Sequence, residues 1–373
     1  GARAACWAAP CTRSGASASA RGAHAEMAAR PLRIMMSTDF FYPDAGGVEC
    51  HVYSLAQGLI ARGHAVCVLT RSRGARRGVR WMTNGLKVYY APRLEMPWGT
   101  SLPTAFGSAA LVRAVALREA IDVVHAHQNC SALAHEAVHA ARALGIPCVF
   151  TDHSLFGFAD TASILTNQLL RWTLAEIQAV VCVSHVSKEN SVLRSGVRPE
   201  LVYVIPNAVD AEQFAPREAS HSGERPDSCH GHESDGQADV SSSGEVASSA
   251  IDDAGGTGTD VSSADPYLTV VVMNRLTYRK GVDLLVQVVP AVCASHPGVR
   301  FVIGGDGPRR GQLEQMVELH GLQRRVELLG GVRHDDVCSV LNRGRVFLSC
   351  SLTEAFCMAV VEAAAAGLMG VST

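Results

Sequence analysis

From Pro31 onward, short apolar runs rich in β-branched residues alternate with longer amphipathic stretches. The first cycle is LRIMMSTDF, a GGVE turn and VECHVYSLAQGLIARG, where Val48, Val52, Leu55 and Leu59 recur at helical spacing and give one apolar face. The cycle continues through AVCVLT, LKVYYAP, DVVHAH, IPCVFTDH, AVVCVSH and LVYVIPN. Strands separated by helices predict parallel sheets covered on both faces. From Arg217 to Asp265 the pattern stops: Ser, Gly, Asp, Glu and His dominate, with few aliphatic residues. Such a stretch buries too little surface to offset its chain entropy. The alternation resumes in YLTVVVMNRL, RFVIGGDG, RVELLGG, RVFLSCS and LMGVS.

The predicted organisation is therefore a disordered leader over residues 1–30, a Rossmann-like domain over 31–216, a disordered acidic, Ser/Gly-rich insertion over 217–265 and a second Rossmann-like domain over 266–373. The fold class is α/β, with two doubly wound domains facing a cleft. The second is expected to be incomplete, because it ends on a strand-like run at Thr373. The leader is rich in Ala, Arg, Ser and Gly and poor in acid; it fits either a transit peptide or an upstream extension before Met27.

Composition narrows the function. The 373 residues are 47% hydrophobic and 18% charged with a formal net charge of −2, which gives no basic footprint for nucleic acid. No apolar run approaches the ~20 residues that span a bilayer. The 12 cysteines form no C-x-x-C pair and several lie inside apolar runs, so they read as small buried hydrophobes in a reducing compartment. In that setting the sequon at Asn129 is accidental.

In open sheets of this kind ligands bind beyond the carboxyl ends of the strands, which directs attention to the residues just after each strand. Gly46 and Gly47 follow the first strand, where backbone amides and a helix N-terminus can receive a phosphate; a plain tight turn fits equally well. In NRLTYRKG, Arg275, Arg279 and Lys280 crowd beside Gly281, cations suited to a diphosphate; a solvated basic turn is the alternative. The turn GGDGPRR carries Gly305 and Gly307 but lacks the third glycine of a dinucleotide fingerprint, which removes the main support for NAD. In SLTEAFCMAVVEAAAAG, Glu354 is expected to open a helix with Glu362 two turns further on, each able to accept bonds from sugar or ribose hydroxyls; two surface acids are the bland reading.

His127 ends the strand DVVHAH, and Asp152 and His153 end CVFTDH, so all three fall where the cleft is expected. His125 shares a strand side with His127 by alternation. His135, Glu136 and His139 spell H-E-x-x-H, a zinc protease pattern. The segment is a short connector between parallel strands and has no third ligand at the extended spacing, so chance explains it better, with the histidines on the outer side of a packing helix.

GGVE, NRLTYRKG, GGDGPRR and the spaced pair Glu354 and Glu362 together resemble the retaining, GT-B-fold glycosyltransferases of family four. FYPDAGGVECHVYSLAQGLIARGHAVCVLT, TDHSLFGFAD, IPNAVD and SLTEAFCMAVVEA narrow the resemblance to members that act in GPI anchor synthesis. The resemblance covers roughly Leu32 to Phe214 and Tyr267 to the end. It implies transfer of GlcNAc from UDP-GlcNAc to phosphatidylinositol at the cytosolic face of the endoplasmic reticulum membrane, within a complex of other subunits. It implies no cofactor and no metal: Arg275, Lys280 and the Gly46–Gly47 turn would stabilise the leaving diphosphate. By the same carry-over Glu354 and the Phe356 region meet the donor sugar, Glu362 holds the ribose, Gly305 and Gly307 belong to the donor side, and His127 faces the sugar. Asp152 and His153 are acceptor-side candidates. Other readings are another acceptor within the same family, or an inactive scaffold protein within the complex.

Overall fold

The structure, a computed structural model, describes residues 30–44, 46–96, 100–104, 107–157, 161–216 and 267–373. The expected insertion and, apart from Arg30, the expected leader lie outside the described residues. By its internal contacts the chain divides into two units. One holds the chain through Asp39 with Val52–Ala126 and Ser131–Val149; the other holds Phe40–His51, His127–Cys130 and Phe150–Thr373.

The elements of the first half are β1 (Arg33–Ser37), α1 (Gly47–Ala61), β2 (Ala65–Arg71), β3 (Gly78–Trp81), β4 (Lys87–Ala91), α2 (Ala109–Arg118), β5 (Val123–His127), α3 (Ala132–Ala143), β6 (Cys148–Asp152), α4 (Thr161–Leu174), β7 (Ala179–Cys182), α5 (His185–Ser195) and β8 (Val202–Val204). Their strands run in the order β3-β4-β2-β1-β5-β6-β7-β8. Met35 and Met36 in β1 and Val68 and Leu69 in β2 are buried although they point to opposite faces, so helices cover both. Val52 and Ala56 carry the buried stripe of α1. Ser131 caps α3 by accepting from the amide of Ala134 at 3.1 Å, and Ser184 does the same for α5 through Ser187.

One edge departs from the all-parallel expectation. β3 pairs antiparallel with β4, with Asn84 and Gly85 at positive φ in the turn between them. All four residues of β3 are exposed, so no alternating burial marks it in the sequence; Arg80 and the edge position suit a strand that must not pair further.

The second half contains β9 (Leu268–Met273), α6 (Val282–Ser295), β10 (Val299–Gly304), α7 (Arg310–Leu319), β11 (Val326–Gly330), α8 (His334–Leu341), β12 (Val346–Ser349), α9 (Met358–Ala365) and β13 (Met369–Ser372). The strand order is β11-β10-β9-β12-β13, parallel throughout. Period-two alternation is visible in the packing. Val270, Val272, Phe301 and Ile303 pack with Leu285 and Val289 of α6, whereas Val271, Val302 and Phe347 pack with Leu341 of α8, Ala363 of α9 and Phe214. Each fully buried side chain of this size contributes about 1.5–3 kcal/mol. That rigidity holds the loops after β9, β10 and β12 in place.

Candidate functional site

Within the second unit, a cavity of about 590 Å³ is lined by Gly46, Gly47, His153, Ser154, Leu155, Arg275, Thr277, Arg279, Lys280, Thr353, Glu354 and Ala355. Three cations face one carboxylate there, so the cavity favours an anion. Gly47 is the first residue of α1, whose positive dipole end adds to the same field.

The loop after β9 is built for close approach. The amide of Asn274 donates to Gly304 (3.1 Å), that of Leu276 to Asp306 (2.9 Å) and that of Arg309 back to Leu276 (3.0 Å). A Cβ on Gly305, at φ +130, would strike the carbonyl of Asn274, and one on Gly307 the carbonyl of Leu276. The two glycines therefore seat the Arg275 loop and do not line the cavity. Tyr278–Lys280 form one 3-10 turn, ended by Gly281 at φ +69, where any side chain would collide with the carbonyl of Cys350. That contact sets Lys280 beside the loop after β12, and Lys280 forms an ion pair with Glu354. Arg279 donates to the carbonyl of Leu155 at 3.3 Å and accepts on its own carbonyl from the amide of Leu352 at 2.9 Å.

Glu354 does not open a helix. It lies in the loop between β12 and α9, and the helix starts at Met358. Cys357 at its N-cap makes no side-chain capping bond, and the helix begins where Ala359, Val360 and Ala363 pack on the sheet. Glu362 sits within α9, half-buried; burial raises its carboxyl pKa above the usual range, partly offset by His334. Neither Glu362 nor Phe356 lines the cavity. Glu362 is close enough to Cys50 in the first turn of α1 for its charge to add to the upward push that burial gives that thiol.

His127 ends β5 and His153 follows β6, and the two side chains meet. Nδ1 of His127 lies 3.3 Å from Nε2 of His153, with the rings nearly parallel. His51, one turn into α1, packs its ring against both at centroid distances of 5.8 and 4.7 Å. Only the position of His51 in the first turns after GGVE points to it in sequence; likewise Ser154, Leu155, Thr277 and Thr353 carry no signal of their own.

Asp152 is fully buried and paired with Arg194 at 3.3 Å, both side chains having no exposure. Burial raises its pKa to about 6 against the pull of Arg194. Ser154 donates its amide to Asp152 (3.2 Å), while Arg194 donates to Asn167 (2.6 Å) and Asn190 (3.3 Å), and Asn190 clasps the backbone of Phe156. Asp152 thus holds the loop that carries His153 to Leu155; it does not reach the cavity.

The H-E-x-x-H segment is not on an outer face. His135 is 2% exposed, because α3 is covered by α2 as well as by the sheet, and His139 is half-buried. Glu136 accepts two bonds from Arg93 (both 2.8 Å), two from Thr104 and one from the amide of Ser108. The carboxylate has its oxygens filled and is not a base poised over a metal. Asn129 of the sequon is likewise buried.

Two sheets, parallel apart from the edge strand β3 and wrapped by helices, with a cation-lined cavity after the strand ends, have the GT-B fold, and the family matches give the class, glycosyltransferase. Solved structures carry the fold: sucrose-phosphate synthase of Thermosynechococcus elongatus is similar at TM-score 0.62 and 16% identity over 91% of this chain and 81% of that one. Anabaena HepE, solved with UDP and glucose, is similar at 0.61 and 18% over 91% and 80%. Residues 260–373 match the family model of group 1 glycosyl transferases, and residues 71–160 match that described as PIGA (GPI anchor biosynthesis). The chain is 49% identical over 342 residues to a phosphatidylinositol N-acetylglucosaminyltransferase protein of Arabidopsis thaliana, covering 92% of this chain and 67% of that one. It is 44% identical over 344 residues to the Homo sapiens protein of the same name, covering 92% and 62%. The chain belongs to the PIGA family and spans about two thirds of the length of these relatives. Among the described residues no helix is long and apolar enough to cross a membrane.

Proposed function

We propose that the protein transfers N-acetylglucosamine from UDP-GlcNAc to the inositol of phosphatidylinositol, with retention of configuration, as the first step of GPI anchor synthesis. The observation that carries this reading is the cavity in which Arg275, Arg279 and Lys280 meet the N-terminus of α1, in a chain of the PIGA family. The diphosphate of the donor would lie against Arg275, Lys280 and the Gly46–Gly47 turn. Charge that develops on the leaving UDP is then met by donors already in place, which costs no reorganisation at the moment of bond breaking. No metal is part of this proposed step.

Lys280 is already held by Glu354, so its ammonium is positioned before the donor arrives. Glu354 would use its remaining lone pairs for the donor sugar, with Phe356 in the adjoining loop, and Glu362 would hold the ribose by moving from its half-buried place on α9. His127 and His153 would meet the sugar and the acceptor. Gly305 and Gly307 act through the loop they seat. The location proposed is the cytosolic face of the endoplasmic reticulum membrane, in a complex with the other subunits of the transferase.

The test is transfer of labelled GlcNAc to phosphatidylinositol by membranes carrying the full-length protein and its partner subunits. Lys280→Ala is expected to lower transfer by at least about 100-fold, as for removal of a donor to a developing anion, and Glu354→Ala to lower it by a similar factor through loss of the acceptor that positions Lys280 and meets the sugar. Unchanged transfer in both would refute the assignment; transfer to a different acceptor with the same sensitivity would correct only the acceptor.

A further inference from the structure

Among the described residues, one group of metal-ligating side chains converges: His51, His127 and His153, whose candidate ligand atoms all lie within 4.8 Å of one another. We propose that these three imidazoles form a binding site for a divalent transition cation of the zinc class, with water in the fourth position. The site shares His127 and His153 with the reading above, but it does not depend on the identity of donor or acceptor.

The geometry points to zinc in particular. With Zn–N bonds of about 2.0–2.1 Å, two nitrogens on one tetrahedron stand about 3.3–3.4 Å apart. Nδ1 of His127 and Nε2 of His153 are 3.3 Å apart. The His51 ligand nitrogen lies within 4.8 Å of both, a gap that rotation about χ2, a torsion with broad wells, would narrow. A hydrogen bond between two imidazoles accounts for the one distance; it does not account for a third imidazole beside both.

The backbone beneath the cluster is fixed from three directions. His51 stands on α1, His127 is the last residue of β5, and His153 is the first beyond β6. The amide of Gln128 donates to Thr151 at 2.9 Å and the hydroxyl of Ser154 donates to the Gln128 side chain at 3.0 Å, which ties the ends of β5 and β6 together. His153 lines the cavity, so ions reach the cluster from solvent. Imidazole ligands suit Zn²⁺ and its neighbours and not Mg²⁺ or Ca²⁺. A bound cation takes up the lone pairs proposed to face the sugar, so loading would inhibit transfer and not assist it.

The experiment uses the full chain stripped with EDTA and titrated with Zn²⁺ against a chromophoric chelator. One tight equivalent is expected. His51→Ala and His153→Gln should each weaken it by more than about 100-fold, beyond the 10–100-fold typical when a group outside the ligand set is lost. His139→Ala, and a His230→Ala/His232→Ala pair in the 217–265 segment, should leave it unchanged. Melting curves check that the variants fold. X-ray absorption of the zinc-loaded wild-type protein gives a second readout that needs no variant: three imidazole nitrogens at about 2.0–2.1 Å are expected. Equal affinity in wild type and folded His51→Ala, no tight equivalent in wild type, or fewer than three imidazoles at the zinc would each overturn the proposal.

Discussion

Replacing Glu136 by Gln separates a structural carboxylate from a catalytic one. The Glu136 and Arg93 side chains are 5% and 8% exposed, and the carboxylate accepts paired bonds from the guanidinium, besides those from Thr104 and Ser108. Burial alone would raise its pKa. The bonds from Arg93, Ser108 and Thr104 outweigh that and hold it at about 2. Removing one partner of a buried pair leaves the other charge uncompensated and costs about 3–5 kcal/mol. Linkage gives an independent figure. A carboxyl lowered from 4.5 to about 2 adds on the order of 3 kcal/mol of stability, present above pH 4.5 and lost as pH falls toward 2. Urea unfolding at pH 7 should therefore show Glu136→Gln less stable by about 3–5 kcal/mol, and the difference from wild type should shrink steadily between pH 4.5 and 2. A variant as stable as wild type at pH 7 that loses activity would refute the reasoning and restore the metalloprotease pattern.

Three further outcomes follow from the same geometry. Arg194→Met should destabilise the protein by about 3–5 kcal/mol by stranding the Asp152 carboxylate, and adding Asp152→Asn should recover part of that loss in denaturant melts. Gly281→Ala should cost more than about 1 kcal/mol, since the residue is at φ +69 and its Cβ meets the Cys350 carbonyl; UDP binding should weaken with it because Lys280 is displaced, and the same melts beside a UDP titration would read both. Burial raises the folded-state pKa of Glu362, so its charge burdens the fold increasingly as pH rises above the unfolded carboxylate range. Glu362→Gln should thus raise the melting temperature at pH 7 while raising the KM for donor, and a lower melting temperature would contradict the assigned burial.

The strands and most helices are legible in the sequence because their apolar runs are long and bounded by glycine or polar turns, as in the run from Leu268 to Met273. The edge strand β3 is not, since a four-residue strand exposed on every position leaves no periodic trace. Arg275, Lys280, Glu354 and the Gly46–Gly47 turn converge on one cavity because each follows the carboxyl end of a strand. Spacing alone puts Glu354 on a helix, whereas helix onset after β12 depends on packing of Met358 onward, which local spacing does not encode. The partner of Glu136 stands 43 residues upstream, so H-E-x-x-H spacing reads alike whether the acid meets a metal or a guanidinium. His51, His127 and His153 come from three separate elements, and only the folded chain brings them together.

Arg275 and Lys280 are proposed to take the diphosphate of a UDP-sugar without a metal. The most direct measurement is calorimetric titration of UDP into the wild-type protein and into Arg275→Ala and Lys280→Ala, in EDTA. Each lost charge-assisted bond is worth about 1.5–3 kcal/mol, so both variants should bind about 10- to 100-fold more weakly, with wild-type binding intact in the chelator. Wild-type affinity in both variants, or binding abolished by EDTA alone, would contradict the account.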